Sequence, residues 1–349
     1  MTERVAMAMS GGVDSSVAAS LLVEQGFEAV GISMVIWPNS RCCNNEAMRD
    51  AKDVANDLGI PFHRFDFVET FRKKVVDNFT ESYMRGLTPN PCAICNSEFK
   101  FLELFETARD RFGVERVATG HYARVARDPE TGRYQLLRAL DPDKDQTYML
   151  YNLSQEQLSR CVFPVGEMRK SDVRARARDL GFSVADKPES QDLCFSEDPQ
   201  AFLRERLGDR LAPGNIVDAE GRVLGRHEGI AHFTVGQRKG LGVSAPEPLF
   251  VIRLDPDSNT VVVGPREATM GSRAMLDAVN WVSIARPEEA IACDVKIRYR
   301  STPARALVEP MEGDRALVRF FEPQAAITPG QVAVMYDGDR VLGGGLIAR

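Results

Sequence analysis

Met9-Ser10-Gly11-Gly12-Val13-Asp14-Ser15-Ser16 is the stretch on which the reading of this chain turns. Before it, Arg4 to Met9 is an apolar run that reads as a buried strand. After it, Asp14 to Glu24 carries Val17, Leu21 and Leu22 at helical spacing. A strand, a glycine turn and a helix in succession make an anion site. The glycines let the backbone approach an anion closely, Ser hydroxyls and the first helical amides donate to it, and the helix dipole favours negative charge there. The plainer alternative is a helix start capped by Asp or Ser, which any α/β protein contains. The full string in this context favours phosphate. It is not a Walker A loop, because the chain has no Gly-Lys pair. Gly240-Leu-Gly242-Val-Ser-Ala245 imitates a dinucleotide fingerprint but leads into Pro246 and Pro248 rather than a helix.

Outward from the loop, strands are expected at Glu28 to Val35, Pro61 to Phe67 and Arg116 to Thr119. Helices are expected at Glu46 to Leu58, Phe71 to Arg85 and Ser97 to Arg111. This alternation predicts an α/β layer with a mostly parallel sheet. Arg124 to Leu140 predicts a hairpin turned at Pro129 to Gly132. Gln155 to Arg160 and Lys170 to Leu180 read as helices. Beyond about Pro199 helical periodicity fades. Short strands are expected at Leu249 to Leu254, Thr260 to Val263, Ala292 to Ile297, Ala306 to Val308, Arg315 to Phe320, Gln331 to Tyr336 and Val341 to Ile347, an all-β tail. Three domains are expected: 1–198 (α/β), 199–270 (small and central) and 271–349 (a β-barrel).

The composition fits a soluble globular chain. Of 349 residues, 44% are hydrophobic and 27% charged, which excludes wholesale disorder and collagen-like sequence. No apolar run approaches the ~18 residues of a membrane span, and the N-terminal stretch is too short for a signal-peptide core; no membrane partner and a cytoplasmic location are expected. The net charge of −6 argues against a nonspecific nucleic-acid coat, though not against a local basic groove. Seven cysteines without a secretion signal suggest thiols, metal ligands or redox groups.

Thr88-Pro89-Asn90-Pro91-Cys92-Ala93-Ile94-Cys95-Asn96 is expected just ahead of a helix, with Asn96 as its cap; a cysteine there has a lowered pKa. Cys194 follows Ser190-Gln191-Asp192-Leu193, and Cys42 and Cys43 follow Arg41. Three chemistries compete: zinc on Cys92, Cys95 and a third thiol; an iron–sulfur cluster with one open iron; and a persulfide on one cysteine attacked by another. Cys161 and Cys293 stand in apolar surroundings and read as packing residues. Lys170, Arg174 and Arg178, at i, i+4 and i+8, read as a solvated helix face, with a phosphate stripe as the alternative.

The loop Ser10 to Ser16 resembles that of the ATP-pyrophosphatase superfamily. Asn90-Pro91-x-x-x-Cys95-Asn96, Ala118-Thr119-Gly120-His121-Tyr122, Lys144-Asp145-Gln146-x-Tyr148, Cys194-Phe195, Thr234 to Gly242 and Lys296-Ile-Arg298-Tyr299-Arg300 follow in one order. Together they resemble the tRNA-specific 2-thiouridylase family over essentially the whole chain.

The resemblance implies a catalytic α/β domain of the adenine nucleotide alpha hydrolase type, a small central domain and a C-terminal β-barrel. It implies that ATP adenylates the C2 carbonyl oxygen of the wobble uridine, position 34 of tRNA, and that persulfide sulfur displaces AMP to give 2-thiouridine. Ala8, Met9, Ser10, Gly11, Gly12, Val13, Asp14, Ser15, Met34 and Gly120 would line the ATP pocket, with Mg2+ neutralising phosphate charge. Cys194 would carry the persulfide and Cys95 would be the nucleophile that attacks it, leaving a Cys95–Cys194 disulfide. Asn90, Pro91 and Cys92 would contact the target base; His121, Lys144, Asp145, Gln146, Arg298, Tyr299 and Gln331 would contact tRNA. Four basic residues and an aromatic between Lys296 and Arg305 suit phosphate contact and base stacking. A sulfur-relay protein or cysteine desulfurase would be the donor.

Many relatives carry Asp where this chain has Cys92. The substitution creates the C-x-x-C, so Cys92, Cys95 and Cys194 as ligands of a [4Fe–4S] cluster holding the sulfide is the second route. A pyrophosphate-loop ligase or amidase acting on an adenylated small molecule, needing no reactive cysteine, is the alternative enzyme. A metal-binding RNA adaptor is the non-enzyme alternative, and the phosphate loop argues against it.

Overall fold

The computed structural model of the chain describes residues 3–37, 44–188 and 193–349. Cys42 and Cys43, and the Ser190-Gln191-Asp192 that precedes Cys194, lie outside the described residues.

The first part of the chain runs β1 (Arg4–Ala8), α1 (Val13–Glu24), β2 (Glu28–Val35), α2 (Asn45–Asp57) and β3 (Phe62–Asp66). It continues through α3 (Val68–Phe71), a wider π turn at Arg72–Val76 and α4 (Asp77–Met84). Next come α5 (Pro91–Ile94), a second π turn at Cys95–Leu104, α6 (Phe105–Phe112) and β4 (Arg116–Ala118). The hairpin β5 (Ala123–Arg127) and β6 (Tyr134–Arg138) is followed by α7 (Gln155–Arg160), β7 (Cys161–Val162) and α8 (Lys170–Asp179). Five of these strands form one parallel sheet in the order β3-β2-β1-β4-β7. Side-chain alternation along β1 sets its two faces. Val5 and Met7 pack with Val17 and Leu22 of α1, Val54 of α2 and Val173 of α8. Ala6 and Ala8 belong to the opposite cluster, with Ile32, Phe71, Phe99 and Leu104. The sheet is covered on both sides, as a parallel sheet requires. The strand order reverses between β1 and β4, which opens a crevice at their carboxyl ends, where ligands bind in such sheets.

The α/β expectation holds, with one local correction. The helix expected from Ser97 begins at Pro91. Asn90 is its N-cap, accepting from the amide of Ala93 at 3.3 Å, and proline fits the first helical position because its missing N–H is not needed there. Cys92 and Cys95 therefore lie inside the helical run. Asn96, expected as a cap, is buried and donates from Nδ2 to the Met149 carbonyl at 3.0 Å.

After α9 (Pro199–Leu207), β8 (Gly214–Val217), β9 (Val223–His227), β10 (Phe250–Asp255) and β11 (Thr260–Gly264) form a four-stranded sheet in the order β10-β11-β8-β9. Then β12 (Met270–Asn280), β13 (Ile291–Lys296), β14 (Ala304–Met311), β15 (Arg315–Ala325), β16 (Val332–Asp337) and β17 (Arg340–Ile347) run in the order β12-β15-β14-β13-β16-β17. A β12–β17 pairing closes them into a six-stranded barrel. Closure covers the later part of the β17 edge and leaves its first residues open. Its core holds Leu276, Cys293, Val308, Val318 and Met335. The early hairpin extends this barrel: Arg340 and Val341 of β17 pair with Leu137 and Leu136 of β6. Among the described residues no helix is long and apolar enough to cross a membrane.

Candidate functional site

The glycine loop sits in the β1/β4 crevice. Gly11 has φ +70°, and a Cβ there would lie 2.0 Å from the Ala47 carbonyl oxygen in α2, so the turn admits only glycine. Gly12 is the N-cap of α1 and offers its first-turn amides no side-chain cap. From the neighbouring strand, a Cβ on Gly120 would lie 2.7 Å from the Ser15 amide nitrogen. The two backbones thus approach closely around the uncapped start of a 12-residue helix, a cradle for phosphate oxygens. The hydroxyls of Ser15 and Ser16 both donate to the Gly12 carbonyl at 3.0 Å, and the Ser10 and Ser15 hydroxyl oxygens are 3.2 Å apart. The serines hold the turn as well as facing the cradle. Ala8, Met9 and Val13 are buried walls. Met34, near the carboxyl end of β2, is half-buried.

Asp14, in the first turn of α1, is held from two directions. The Tyr122 hydroxyl donates to Oδ1 at 2.7 Å. The Lys170 ammonium donates to Oδ1 at 2.7 Å and Oδ2 at 2.8 Å. Lys170 is the first residue of α8 and only 8% exposed. This corrects the solvated-face reading for Lys170, while Arg178 is exposed as that reading expected. Arg174 donates to the carbonyls of Ala185 and Lys187, and Arg178 to Asp186. The signal for Lys170 was present in the sequence: a cation at a helix start opposes the helix dipole and needs an anion nearby.

Cys92, Cys95, Cys161, Cys194 and Cys293 are all thiols, with no disulfide among them. Cys95 is buried in the large apolar cluster that holds Ala8 and Ile32 and runs on to Tyr336 of the barrel, and Cys194 and Met34 pack against that cluster. Cys92, not Cys95, occupies the first turn of the helical run, so the dipole acts chiefly on Cys92. Phe195 fixes the chain beside Cys194 by packing within 5.3–6.4 Å of the Phe202, Phe79, Phe71 and Trp37 rings. Burial pushes the Cys161 thiol up, and that of Cys293 to about 12; both stay protonated and unreactive. No three His, Cys, Asp or Glu side chains among the described residues stand together as a metal site. The donor set for a cluster on Cys92, Cys95 and Cys194 is thus not assembled in this structure.

A polar and aromatic cluster joins this domain to the barrel. Tyr299 lies 6.0 Å from Tyr148, ring to ring, and the Lys296 ammonium is 5.5 Å from the Tyr299 ring and 5.8 Å from that of Tyr148. Burial raises the Tyr299 pKa, and the charge of Asp145 raises it further, while Lys144 and Arg300 pull it down. Burial lowers the Lys296 pKa. Asp145 is itself buried, accepting from the Ala139 amide at 3.1 Å and the Thr147 hydroxyl at 2.8 Å. Gln146 accepts at Oε1 from the Tyr122 amide at 2.9 Å. The Arg298 guanidinium donates to the Ala326 carbonyl. His121 shares a 2.7 Å hydrogen bond between Nδ1 and the Thr119 hydroxyl, and burial with the nearby Lys100 charge holds its pKa well below the usual histidine value.

The expected nucleotide residues therefore converge on the crevice. Tyr299, Asp145 and Lys144 come together at the domain junction, with Cys92 near enough to Tyr299 to be felt electrostatically. Gln331 reaches the Asn90 segment from the barrel side through the Thr88 carbonyl, 2.9 Å away. Thr88 and Thr234, whose hydroxyls are 3.2 Å apart, complete that junction; the sequence reading quoted both as parts of separate motifs but assigned them no role, since their meeting depends on the fold.

Three family models tile the chain. A "tRNA methyl transferase HUP domain" matches residues 3–198, a "tRNA methyl transferase PRC-barrel domain" residues 200–265, and an "Aminomethyltransferase beta-barrel domain" residues 272–347. Among curated proteins, a tRNA-specific 2-thiouridylase of Nostoc punctiforme is 48% identical, covering 99% of each chain. One of Heliobacterium modesticaldum is 47% identical, covering 100% of this chain and 93% of its own. One of Geotalea uraniireducens is 48% identical, covering 99% and 95%. The relatives match end to end and agree on the name.

Proposed function

Since the chain belongs to the tRNA-specific 2-thiouridylase family, we propose the following division of labour among its residues. The enzyme binds ATP and tRNA and replaces O2 of the wobble uridine with sulfur. A ring carbonyl oxygen is a poor leaving group, and AMP is a good one. The amides at the start of α1, the Gly11 turn and the Gly120 backbone hold the triphosphate, with Mg2+ entering as its counter-ion. The uridine O2 attacks the α-phosphorus, pyrophosphate leaves, and O2 becomes the bridge to AMP. The terminal sulfur of a persulfide on Cys194 then attacks C2 and AMP departs. The Cys95 thiolate attacks Sγ of Cys194, breaking the S–S bond to the transferred sulfur and forming a Cys95–Cys194 disulfide. An external thiol reductant restores both thiols, and a sulfur-relay protein or desulfurase reloads Cys194.

The cluster of Tyr299, Lys296, Lys144 and Arg300 supports tRNA contact, because one half-buried aromatic ring beside cations suits stacking and phosphate contact. Asn90, Pro91 and Cys92 receive the base, with His121, Gln146, Arg298 and Gln331 around them. The single observation that carries the reading is the glycine-turned, uncapped start of α1 faced by the Gly120 backbone, in a chain that 2-thiouridylases match end to end.

The test is reconstitution. Protein, MgATP, unmodified tRNA and a persulfide donor are incubated, and the digested tRNA is analysed for 2-thiouridine, in air and anaerobically. Product that depends on Cys95 and Cys194 is the expected result. Full activity of Cys194→Ser points instead to a ligase that needs no thiol. Product only in anaerobic, iron-containing preparations points to the cluster route.

A further inference from the structure

We propose that Lys170 is the charge-compensating residue of the nucleotide site: its buried ammonium neutralises Asp14 so that a triphosphate can settle on the first turn of α1. The inference rests on the ATP-dependent reading above. A carboxylate inside a phosphate loop poses an electrostatic problem, because it repels the anion that the loop's amides attract. Asp14 sits in the first turn of α1, within reach of any phosphate held there. The structure answers with one side chain. Lys170 grips both Asp14 oxygens, at 2.7 and 2.8 Å, from a position 8% exposed.

Two further observations show that the pairing is built. Lys170 opens α8, where the dipole disfavours a cation, and its own backbone amide donates to Asp141 Oδ2 at 2.9 Å. Asp141 thereby pins the residue, so its side chain starts from a fixed point. From the other side, the Tyr122 hydroxyl fixes Asp14 Oδ1 at 2.7 Å. The carboxylate is held by two donors on elements separate from the loop, and its charge is met before a nucleotide arrives. With the ammonium buried and the carboxylate partly so, the pair is less screened than a fully exposed one. Removing the ammonium leaves Asp14 uncompensated beside the phosphates. Removing both charges takes the repulsion away.

That reciprocity supplies the test. Binding of a non-hydrolysable ATP analogue with Mg2+ is measured by calorimetry for the parent protein and for Lys170→Met, Lys170→Arg and Lys170→Met with Asp14→Asn. Steady-state KM values for ATP and tRNA are measured alongside. Lys170→Met is expected to weaken analogue binding at least tenfold and to raise the ATP KM in parallel, with the tRNA KM within twofold of the parent. Lys170→Arg is expected to stay within about threefold. Adding Asp14→Asn to Lys170→Met is expected to recover at least threefold of the lost affinity. Unchanged binding in Lys170→Met, or a double variant no better than the single one, overturns the proposal. Should Lys170→Met fail to fold, Lys170→Gln, which keeps an N–H donor without the charge, is held to the same outcomes. If the parent protein binds no ATP analogue, it is the functional reading that falls; if the parent binds and Lys170→Met binds equally, only this inference falls.

Discussion

The Gln331 side chain, from the barrel, donates from Nε2 to the Thr88 carbonyl at 2.9 Å, two residues before the helix-capping Asn90. The Thr88 amide in turn donates to the Pro329 carbonyl at 2.8 Å, and the Thr88 hydroxyl donates to that of Thr234 in the central region at 3.2 Å. Gly330 makes the approach possible: at φ +85°, a Cβ there would lie 2.8 Å from the Thr88 nitrogen. The segment bearing Cys92 and Cys95 is thus hung from all three parts of the molecule.

Gln331→Leu removes that donor while keeping much of the volume. A lost hydrogen bond of this kind costs about 1 kcal/mol. Thiolation is expected to fall about three- to tenfold through kcat and the tRNA KM, with ATP-analogue binding unchanged. Paired tRNA and nucleotide titrations check it.

The five described cysteines divide by environment. Cys95→Ser and Cys194→Ser are each expected to abolish 2-thiouridine formation while leaving tRNA binding intact. Cys293→Ser, which places a hydroxyl in the closed barrel core, is expected to cost about 1–3 kcal/mol of stability with activity retained below the melting range. Mass spectrometry of digested tRNA and thermal melts distinguish the two classes.

Two glycines with positive φ predict opposite outcomes. Gly26, at φ +84° with open space around it, carries only backbone strain, so Gly26→Ala is expected to cost about 1 kcal/mol and leave ATP binding unchanged. Gly11→Ala meets the Ala47 carbonyl, displaces the turn, and is expected to lower thiolation at least a hundredfold. Analogue calorimetry and melting curves read both.

His121 is held neutral in the fold, its pKa well below 6.5, by burial and by the Lys100 charge. The unfolded chain therefore takes up a proton that the folded one refuses. Stability is kept above pH ~6.5 and is lost as pH falls below it, by up to about 1.4 kcal/mol per pH unit for this group. His121→Gln is expected to flatten part of that loss. Urea midpoints at pH 7.5 and 5.5 measure it; an unchanged slope would remove His121 as its source.

Much of the architecture was legible because alternation and periodicity are local properties. β2 was expected at Glu28 to Val35 and is found there, as is α7 at Gln155 to Arg160. The β8, β9 and β12 strands were missed. Glycine opens β8 and interrupts β9, and the need for Gly214 is tertiary: a Cβ there would lie 2.0 Å from the Asn259 carbonyl. In the site, the glycine loop announced itself because its chemistry is carried by consecutive residues. Lys170 lies 156 positions from Asp14, so a helix-face pattern suggested solvent where the fold placed a buried ion pair. Asn96 was misassigned as a cap because Pro91, better suited to the first helical position, moved the helix start forward.

The β5–β6 hairpin has a consequence for biosynthesis. Its partner residues on β17 emerge from the ribosome about 200 positions later, a delay of roughly 10–40 s at ordinary translation rates. Until then one edge of the hairpin must wait unzipped, exposed to chaperones and to neighbouring nascent chains. A ribosome that stalls before Arg340 would leave the early hairpin without its β17 partner, so an element near the start of the chain stays unfinished until a late one is made.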